Sequence, residues 1–164
     1  MRTAPVPRGE LAADLAPRNE EAREERLVLA VTSVNGATAA CAAHGDRATL
    51  GVVRAAHAAM AASCAAAGGE VVKALGDGLL VAFPAARARE AVEALRAGRE
   101  RADALWRALD ARCAVQVRAT AGTVLRGPLA PGDARPDVYG DALNRLFKLP
   151  PAPLLLTPEL EALL

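Results

Sequence analysis

The sequence predicts an α+β fold in which helices pack on one mainly antiparallel sheet. Segments with helix and strand patterns alternate along the chain, and one tight hairpin joins two of the strands. Of the 164 residues, 52% are hydrophobic but only 2% are aromatic. A core of Ala, Val and Leu follows, and such small side chains suit helices packed closely on β-branched strands. The length is that of one domain with one core.

The first 26 residues differ in composition from the rest. They carry Pro5, Pro7 and Pro17, followed by the charged run NEEAREER at 19–26. Low hydrophobicity and dense charge are typical of segments that cannot form a packed core. We therefore predict a flexible charged arm or linker over residues 1–26 and a folded domain over 27–164.

The first half of the domain gives three strand predictions and one helix. The apolar run LVLAVTSV at 27–34 suits a strand buried on both faces. Apolar residues at helical spacing predict an Ala-rich helix at about 46–67. The segments GEVVKAL at 69–75 and LLVAF at 79–83 flank Gly76-Asp77-Gly78, and that tripeptide predicts a tight hairpin.

The second half continues the alternation of helices and strands. A charged amphipathic helix is predicted at about 86–109, with Trp106 in the core, and a strand at 113–124. A loop rich in Gly and Pro spans 127–136. A helix at about 139–149, a strand at 153–157 and a helical turn opened by Pro158 complete the chain.

Composition argues against several classes of function. The formal net charge is +1 and aromatic residues are few, so a nucleic-acid partner is not expected. No apolar run approaches the roughly 20 residues that span a bilayer, and no signal-peptide stretch opens the sequence. Cys41, Cys64 and Cys113 are odd in number and widely spaced. They are expected to be core thiols in a reducing, cytoplasmic setting.

Three segments in order carry a resemblance to a known family. They are GGEVVKALGDGLLVAF (68–83), VRATAGTVLRGPL (117–129) and DVYGDALNRLFKL (137–149). Together they resemble the catalytic domain of class III adenylate and guanylate cyclases over residues 27–164, and LAVTSVNGAT (29–38) lies where that family has its first metal-binding strand. Each segment alone is a weak signal, but the ordered set is specific. The resemblance implies a ferredoxin-like α/β sandwich of the cyclase type.

The same resemblance implies a chemistry. In this family the ribose 3′-hydroxyl of the nucleotide attacks the α-phosphate and expels pyrophosphate. Two magnesium or manganese ions, held by two Asp side chains, activate the nucleophile and neutralise the phosphates. The sites form between two domains paired head to tail. The implied partners are therefore ATP or a related purine nucleotide and a second cyclase domain, in a homodimer or a heterodimer.

Several residues match the family's substrate-binding positions. Lys73 and Asp137 match the lysine and the acid that read adenine, as a donor to a ring nitrogen and an acceptor for the exocyclic amine. Asn144 matches the asparagine that orients the ribose. Gly36 and Thr38 match the turn that cradles the phosphates, although the family's Phe between them is Ala37 here.

The catalytic positions match less well. Asp77 matches the second metal carboxylate, but the first falls on Ser33, which offers magnesium no charge. The arginine that faces the reacting phosphorus falls on Lys148. Lysine keeps the positive charge and loses the planar fork that binds two phosphate oxygens. Removing one transition-state donor of this kind typically costs about 10²–10³ in rate.

Each candidate residue also has an interpretation without a functional site. Lys73 could be a solvated edge residue, and Asp77 is what any tight hairpin would favour. Asp137 could cap a helix, and Asn144 could be a polar residue on a helix surface. Lys148 near a helix C-terminus suits the helix dipole.

Three functional hypotheses follow. The first is a degenerate cyclase domain, weak or inactive as a catalyst, that binds a nucleotide or acts in regulation or dimerisation. The second is an active adenylate cyclase, alone or as the substrate-reading half of a heterodimer. Metal is expected only if the site is active; otherwise none is required. A GGDEF-type diguanylate cyclase ranks third, since that relation would leave Lys73 and Asn144 unexplained.

Overall fold

A computed structural model describes residues 22–129 and 134–164. The described residues form the strands β1 (Arg23–Asn35), β2 (Glu70–Leu75), β3 (Gly78–Pro84), β4 (Ala114–Gly127), β5 (Asp137–Tyr139) and β6 (Leu155–Leu156). The helices are α1 (Ala37–His44), α2 (Asp46–Ala66), α3 (Ala88–Leu109), α4 (Asp141–Lys148) and α5 (Pro158–Glu161). A single 3₁₀ turn at Ala85–Arg87 leads from β3 into α3.

The strands form one sheet in the order β2-β3-β1-β4-β5, with β6 beside β4. Neighbouring strands along this order are antiparallel, while β6 runs parallel to β4. The predicted class, α+β with helices on a mainly antiparallel sheet, is confirmed. The sheet is built around β1 and β4, which pair along their length from Arg23↔Arg126 to Asn35↔Ala114.

Both faces of the sheet are covered, because alternate residues of β1 are buried on opposite sides. Val28 and Ala30 belong to the core cluster that the sheet forms with α2 and α3. Leu29 and Val31 belong to the cluster on the other face, which includes residues of α4. A third cluster surrounds Trp106, which is fully buried as predicted. None of the helices in the described ranges is both long and apolar enough to cross a bilayer.

The sheet is curled, so that its outer strands approach one another. Strands β2 and β5 are at opposite ends of the strand order. Even so, Lys73 Nζ on β2 lies 2.5 Å from Asp137 Oδ2 on β5. Arg126 on β4 reaches Glu70 on β2 at 2.7 Å and Glu25 on β1 at 3.5 Å. The pairs Lys73–Asp137 and Arg126–Glu70 join strands that a flat sheet would keep apart, whereas Glu25 lies on the strand next to Arg126.

Strand β1 is longer than the strand predicted at 27–34. It begins at Arg23, and residues 23–26 pair with 123–126 of β4. This part of the strand was not predicted because residues 23–26 are charged, and their side chains are largely exposed or half-buried at this end of the sheet. Residues 1–21 of the predicted arm lie outside the described residues, and so does part of the predicted loop, residues 130–133.

Two short elements were absent from the sequence prediction. Helix α1 occupies Ala37–His44, directly after β1, and is separated from α2 by Gly45. Gly36 and Gly45, at its two ends, both have positive φ, at 88° and 85°, a conformation that glycine adopts without steric cost. Strand β5 is only three residues long and pairs with Leu125–Gly127.

Candidate functional site

The β2–β3 hairpin is pressed against the end of β1. The turn is Gly76-Asp77, with Leu75 paired to Gly78 and a φ of 68° at Gly76. A Cβ atom at Gly78 would lie only 1.9 Å from the carbonyl oxygen of Thr32. Only a residue without a side chain fits there, so the glycine after Asp77 sets how closely the hairpin approaches β1.

Asp77 lies close to Ser33. Its Oδ2 accepts a hydrogen bond of 2.8 Å from the backbone N–H of Val34, the residue after Ser33. One residue further along the hairpin, the Leu79 N–H donates to Thr32 Oγ1, also at 2.8 Å. The structure therefore brings Ser33 and Asp77 to adjoining ends of neighbouring strands, and it gives the Asp77 carboxylate a bond that stabilises the hairpin.

These donors do not fit a centre for two divalent ions. Magnesium requires several oxygen ligands in octahedral geometry, preferably including carboxylates. Ser33 contributes a neutral hydroxyl, and one Asp77 oxygen already accepts the Val34 amide. Across residues 22–129 and 134–164, no three His, Cys, Asp or Glu side chains are grouped so that they could share a metal ion.

The turn that follows β1 leads directly into a helix. Gly36 is the N-cap of α1 and accepts the Ala40 N–H at 2.9 Å. The amides of Ala37 and Thr38 belong to the first turn of the helix, whose N–H groups have no acceptor within the helix. Such a turn can bind an anion. A Cβ at Gly36 would lie 3.2 Å from the carbonyl oxygen of Arg112, so the turn packs tightly on the loop before β4.

Lys73 and Asp137 form a second group of candidate residues. Their ion pair of 2.5 Å is partly shielded, with 39% of the Lys73 side chain and 19% of the Asp137 side chain exposed. The other Asp137 oxygen accepts the backbone N–H of Val138 at 2.8 Å. A register shift in β2 falls between Val71 and Lys73. Bulges of this kind re-aim side chains, and here the bulge lies at the lysine that meets the opposite strand.

Asn144 and Lys148 lie one turn apart on α4, and both are exposed. The buried side of this helix is formed by Ala142, Leu143 and Leu146. Residues four apart share one helical face, so the amide and the ammonium project from the same side. Lys148 is the last residue of the helix, where a cation also complements the helix dipole.

Sequence reasoning missed two residues that support these groups. Arg118 on β4 donates from Nη1 to the carbonyl oxygen of Leu149 at 3.0 Å, so it holds the C-terminal end of α4. Thr32 accepts the Leu79 amide beside the hairpin. For both Arg118 and Thr32, the sequence shows only a polar residue within an otherwise apolar strand segment. That pattern does not indicate which backbone group the side chain binds.

Comparison with known proteins gives matches among solved structures. No protein-family model and no curated protein matches the sequence. The adenylyl cyclase CyaB from P. aeruginosa is 19% identical with a TM-score of 0.78, over 87% of this chain and 82% of that one. A bacterial light-regulated adenylyl cyclase is 16% identical with a TM-score of 0.78, over 88% of this chain. This chain spans 46% of that protein's length.

A third neighbour is described as a class III adenylyl cyclase-like ATP-binding protein from Pseudomonas aeruginosa. It is 13% identical with a TM-score of 0.71, over 87% of this chain and 35% of its own. Guanylyl cyclases are also among the similar structures, including Cya2 with a TM-score of 0.74. The chain therefore has the fold of the catalytic domain of class III adenylyl and guanylyl cyclases.

Proposed function

We propose that this chain is a cyclase-type domain that binds a purine nucleotide, preferentially ATP, and has little or no cyclase activity of its own. One observation carries the proposal. The candidate purine-reading residues Lys73 and Asp137 contact each other at 2.5 Å, while Ser33 stands where the family has its first metal carboxylate. On this proposal, the groups that recognise the base are present and those that activate the nucleophile are incomplete.

The remaining groups favour adenine over guanine. An ammonium can donate to a ring nitrogen of the purine, and a carboxylate can accept from the exocyclic amine of adenine. Guanine presents a carbonyl oxygen at that position, which a carboxylate would repel. Asn144 and the first turn of α1 supply neutral donors for the ribose and the phosphates. Binding through these groups requires no metal ion.

Catalysis is weakened at two points of one reaction. Loss of the carboxylate at position 33 leaves Asp77 as one carboxylate for two ions, and one of its oxygens accepts the Val34 amide. Lys148 offers a point charge where a guanidinium would bind two phosphate oxygens at once. The second defect alone is expected to cost about 10²–10³ in rate. The first is expected to cost more.

The resemblance to cyclase catalytic domains, whose sites form between two domains paired head to tail, supports a nucleotide bound between two chains. In that arrangement a second domain completes the site. In a symmetric homodimer both sites carry the same substitutions, so neither rescues the other. A role in regulation or in pairing follows.

A titration of the purified chain with ATP and with GTP tests this proposal. We expect saturable binding of ATP, measured by calorimetry in the absence of divalent metal, and weaker binding of GTP by about tenfold. Asp137→Ala, which removes the carboxylate that repels the guanine carbonyl oxygen, narrows the difference between the two nucleotides. Equal affinity for both purines in the unmodified chain, or no binding of either, would contradict the proposal.

A second candidate function is the substrate-reading half of a heterodimer. The assembled Lys73–Asp137 pair favours it, because these residues serve the base while a partner could supply both metal carboxylates. The test mixes this chain with a cyclase variant whose own purine-reading Lys and Asn are removed. We expect cyclic AMP synthesis to return and to disappear again with Lys73→Ala. A demonstrated heterodimer without synthesis would exclude this function.

A further inference from the structure

A cluster of charged residues outside the proposed site contacts both ends of α1. It consists of Asp110, Arg112 and His44, and none of them belongs to a segment that resembles the cyclase family. Asp110 follows α3 and has a side chain only 7% exposed. His44 is the last residue of α1. The two residues are 66 positions apart in sequence.

Asp110 is held firmly by its own loop. Its Oδ1 accepts the backbone N–H of Arg112 at 3.0 Å and the Arg112 Nε–H at 2.9 Å. Its Oδ2 accepts from Arg112 Nη2 at 2.6 Å. The Arg112 side chain and backbone hydrogen bonds hold the pKa of the Asp110 carboxyl well below its usual range. An ionised carboxylate in this position only accepts hydrogen bonds.

The same carboxylate also reaches the end of α1. His44 Nε2 lies 3.3 Å from Asp110 Oδ2, and the ionised acceptor requires that this nitrogen carry the proton. At the other end of the helix, the Arg112 carbonyl oxygen packs against Gly36, where a Cβ would lie 3.2 Å away. The loop 110–112 therefore contacts α1 at its last residue through a side chain and at its N-cap through the backbone.

We infer that Asp110 is a positioning residue for phosphate binding, because it fixes α1 and with it the orientation of the N-terminal turn at Gly36–Thr38. This inference rests on the proposed function. Helix α1 is only eight residues long, so a rotation at either end moves its open amides directly. The ligand class is the polyphosphate of a nucleoside triphosphate. In this role Asp110 acts through α1 and not by contact with the nucleotide.

The chain offers a matched control for this role. Asp103 on α3 also accepts a backbone amide of β4, that of Val115, at 2.8 Å, and it pairs with Arg107 at 2.7 Å. Its side chain is 16% exposed. Asp103→Ala therefore removes a comparable anchor between α3 and β4 without touching α1. His44→Ala serves as a milder variant that removes only the link at the end of α1.

The experiment measures ATP and adenosine affinity of the full chain and its variants by calorimetry. We expect Asp110→Ala to weaken the affinity for ATP by about tenfold. The affinity for adenosine should fall by less than about twofold, since adenosine lacks phosphates. His44→Ala is expected to weaken the affinity for ATP by a smaller factor. Asp103→Ala leaves the ratio of the two affinities unchanged. Amide hydrogen exchange within residues 37–44 accelerates in the Asp110 and His44 variants only.

Two results would overturn this inference and leave the proposed function intact. One is an equal loss of ATP and adenosine affinity in Asp110→Ala, and the other is an unchanged ATP affinity in both the Asp110 and His44 variants. If Asp110→Ala does not fold, the ratio of ATP affinity to adenosine affinity is measured for Asp110→Asn and His44→Ala instead. An unmodified chain that binds neither ATP nor adenosine instead refutes the proposed function itself.

Discussion

Lys73 and Asp137 form an ion pair across the two ends of the strand order, with Nζ and Oδ2 2.5 Å apart. The pair exists because the sheet curls and because Lys73 follows a register shift in β2. It brings a donor and an acceptor suited to the edge of adenine to one place. This contact is the observation that supports the proposed recognition site.

The role of this pair in recognition gives the first prediction. Lys73→Ala removes the ammonium donor and is expected to weaken ATP binding by about tenfold, the usual effect of losing a hydrogen bond to a charged group. The measurement is an equilibrium titration with ATP. Glu70→Gln is the control, because Glu70 lies on the same strand and pairs with Arg126 outside the proposed site. Similar losses in both variants would mean that the ion pairs only close the sheet.

The close approach at Gly78 gives a prediction about stability. Gly78→Ala places a methyl group where only 1.9 Å separates a Cβ from the Thr32 carbonyl oxygen, so the hairpin must move away from β1. We expect a loss of about 3 kcal/mol in the free energy of unfolding, measured by chemical denaturation.

A second glycine provides the contrast for that measurement. Gly51 lies within α2, and a Cβ there meets no atom within 4 Å. Gly51→Ala is therefore expected to stabilise the chain by about 0.5–1 kcal/mol, the difference in helix propensity. If Gly78→Ala were neutral or stabilising, like Gly51→Ala, the close packing of the hairpin on β1 would be refuted.

The loop that holds α1 should make stability depend on pH. The pKa of Asp110 is lowered in the folded chain by its hydrogen bonds to Arg112. Its stabilising contribution is therefore complete above the unfolded carboxyl's pKa of about 3.9 and is lost as the pH falls below that value toward the folded one. We expect the difference in unfolding free energy between the chain and Asp110→Asn to narrow from pH 6 to pH 3.

Asp141→Asn is the control for this pH dependence. Asp141 pairs with Arg145 on the surface of α4, with 78% of its side chain exposed, and such pairs contribute little. The difference in unfolding free energy between Asp141→Asn and the unmodified chain should stay small from pH 6 to pH 3. A gap for Asp110→Asn that widened toward acid would contradict the assignment.

Much of the fold could be predicted from the sequence because its signals are local. The apolar run of β1, the Gly76-Asp77-Gly78 hairpin and the long helices each depend on neighbouring residues. Helix α1 was missed because eight mostly small residues show no clear apolar face, and β5 because three residues are too few for a pattern.

The site was less predictable because its contacts join distant residues. The resemblance placed Lys73 and Asp137 in one site, but their contact spans 64 residues and depends on the curl of the sheet. The link between His44 and Asp110 spans 66 residues and lies in no matched motif. The Val34 amide that binds Asp77 is a backbone group, which side-chain motifs do not reveal.

Restoring the missing groups tests whether the defect is local. The double variant Ser33→Asp with Lys148→Arg returns a second carboxylate beside Asp77 and a bidentate cation on α4. We expect measurable cyclic AMP synthesis with manganese, provided that the chain pairs head to tail. The two changes should be strongly non-additive because they act on one transition state. A folded, dimeric double variant that stayed inert would show that the site has diverged beyond these two positions.

A cyclase assay tests whether recognition persists without catalysis. The purified, unmodified chain is incubated with ATP and manganese at concentrations that saturate binding, and cyclic AMP is quantified over time. We expect no cyclic AMP above the background of a denatured sample. Robust synthesis that Asp77→Ala abolishes would contradict this expectation and would make the chain an adenylate cyclase that functions with Ser33 in place of a metal-binding aspartate.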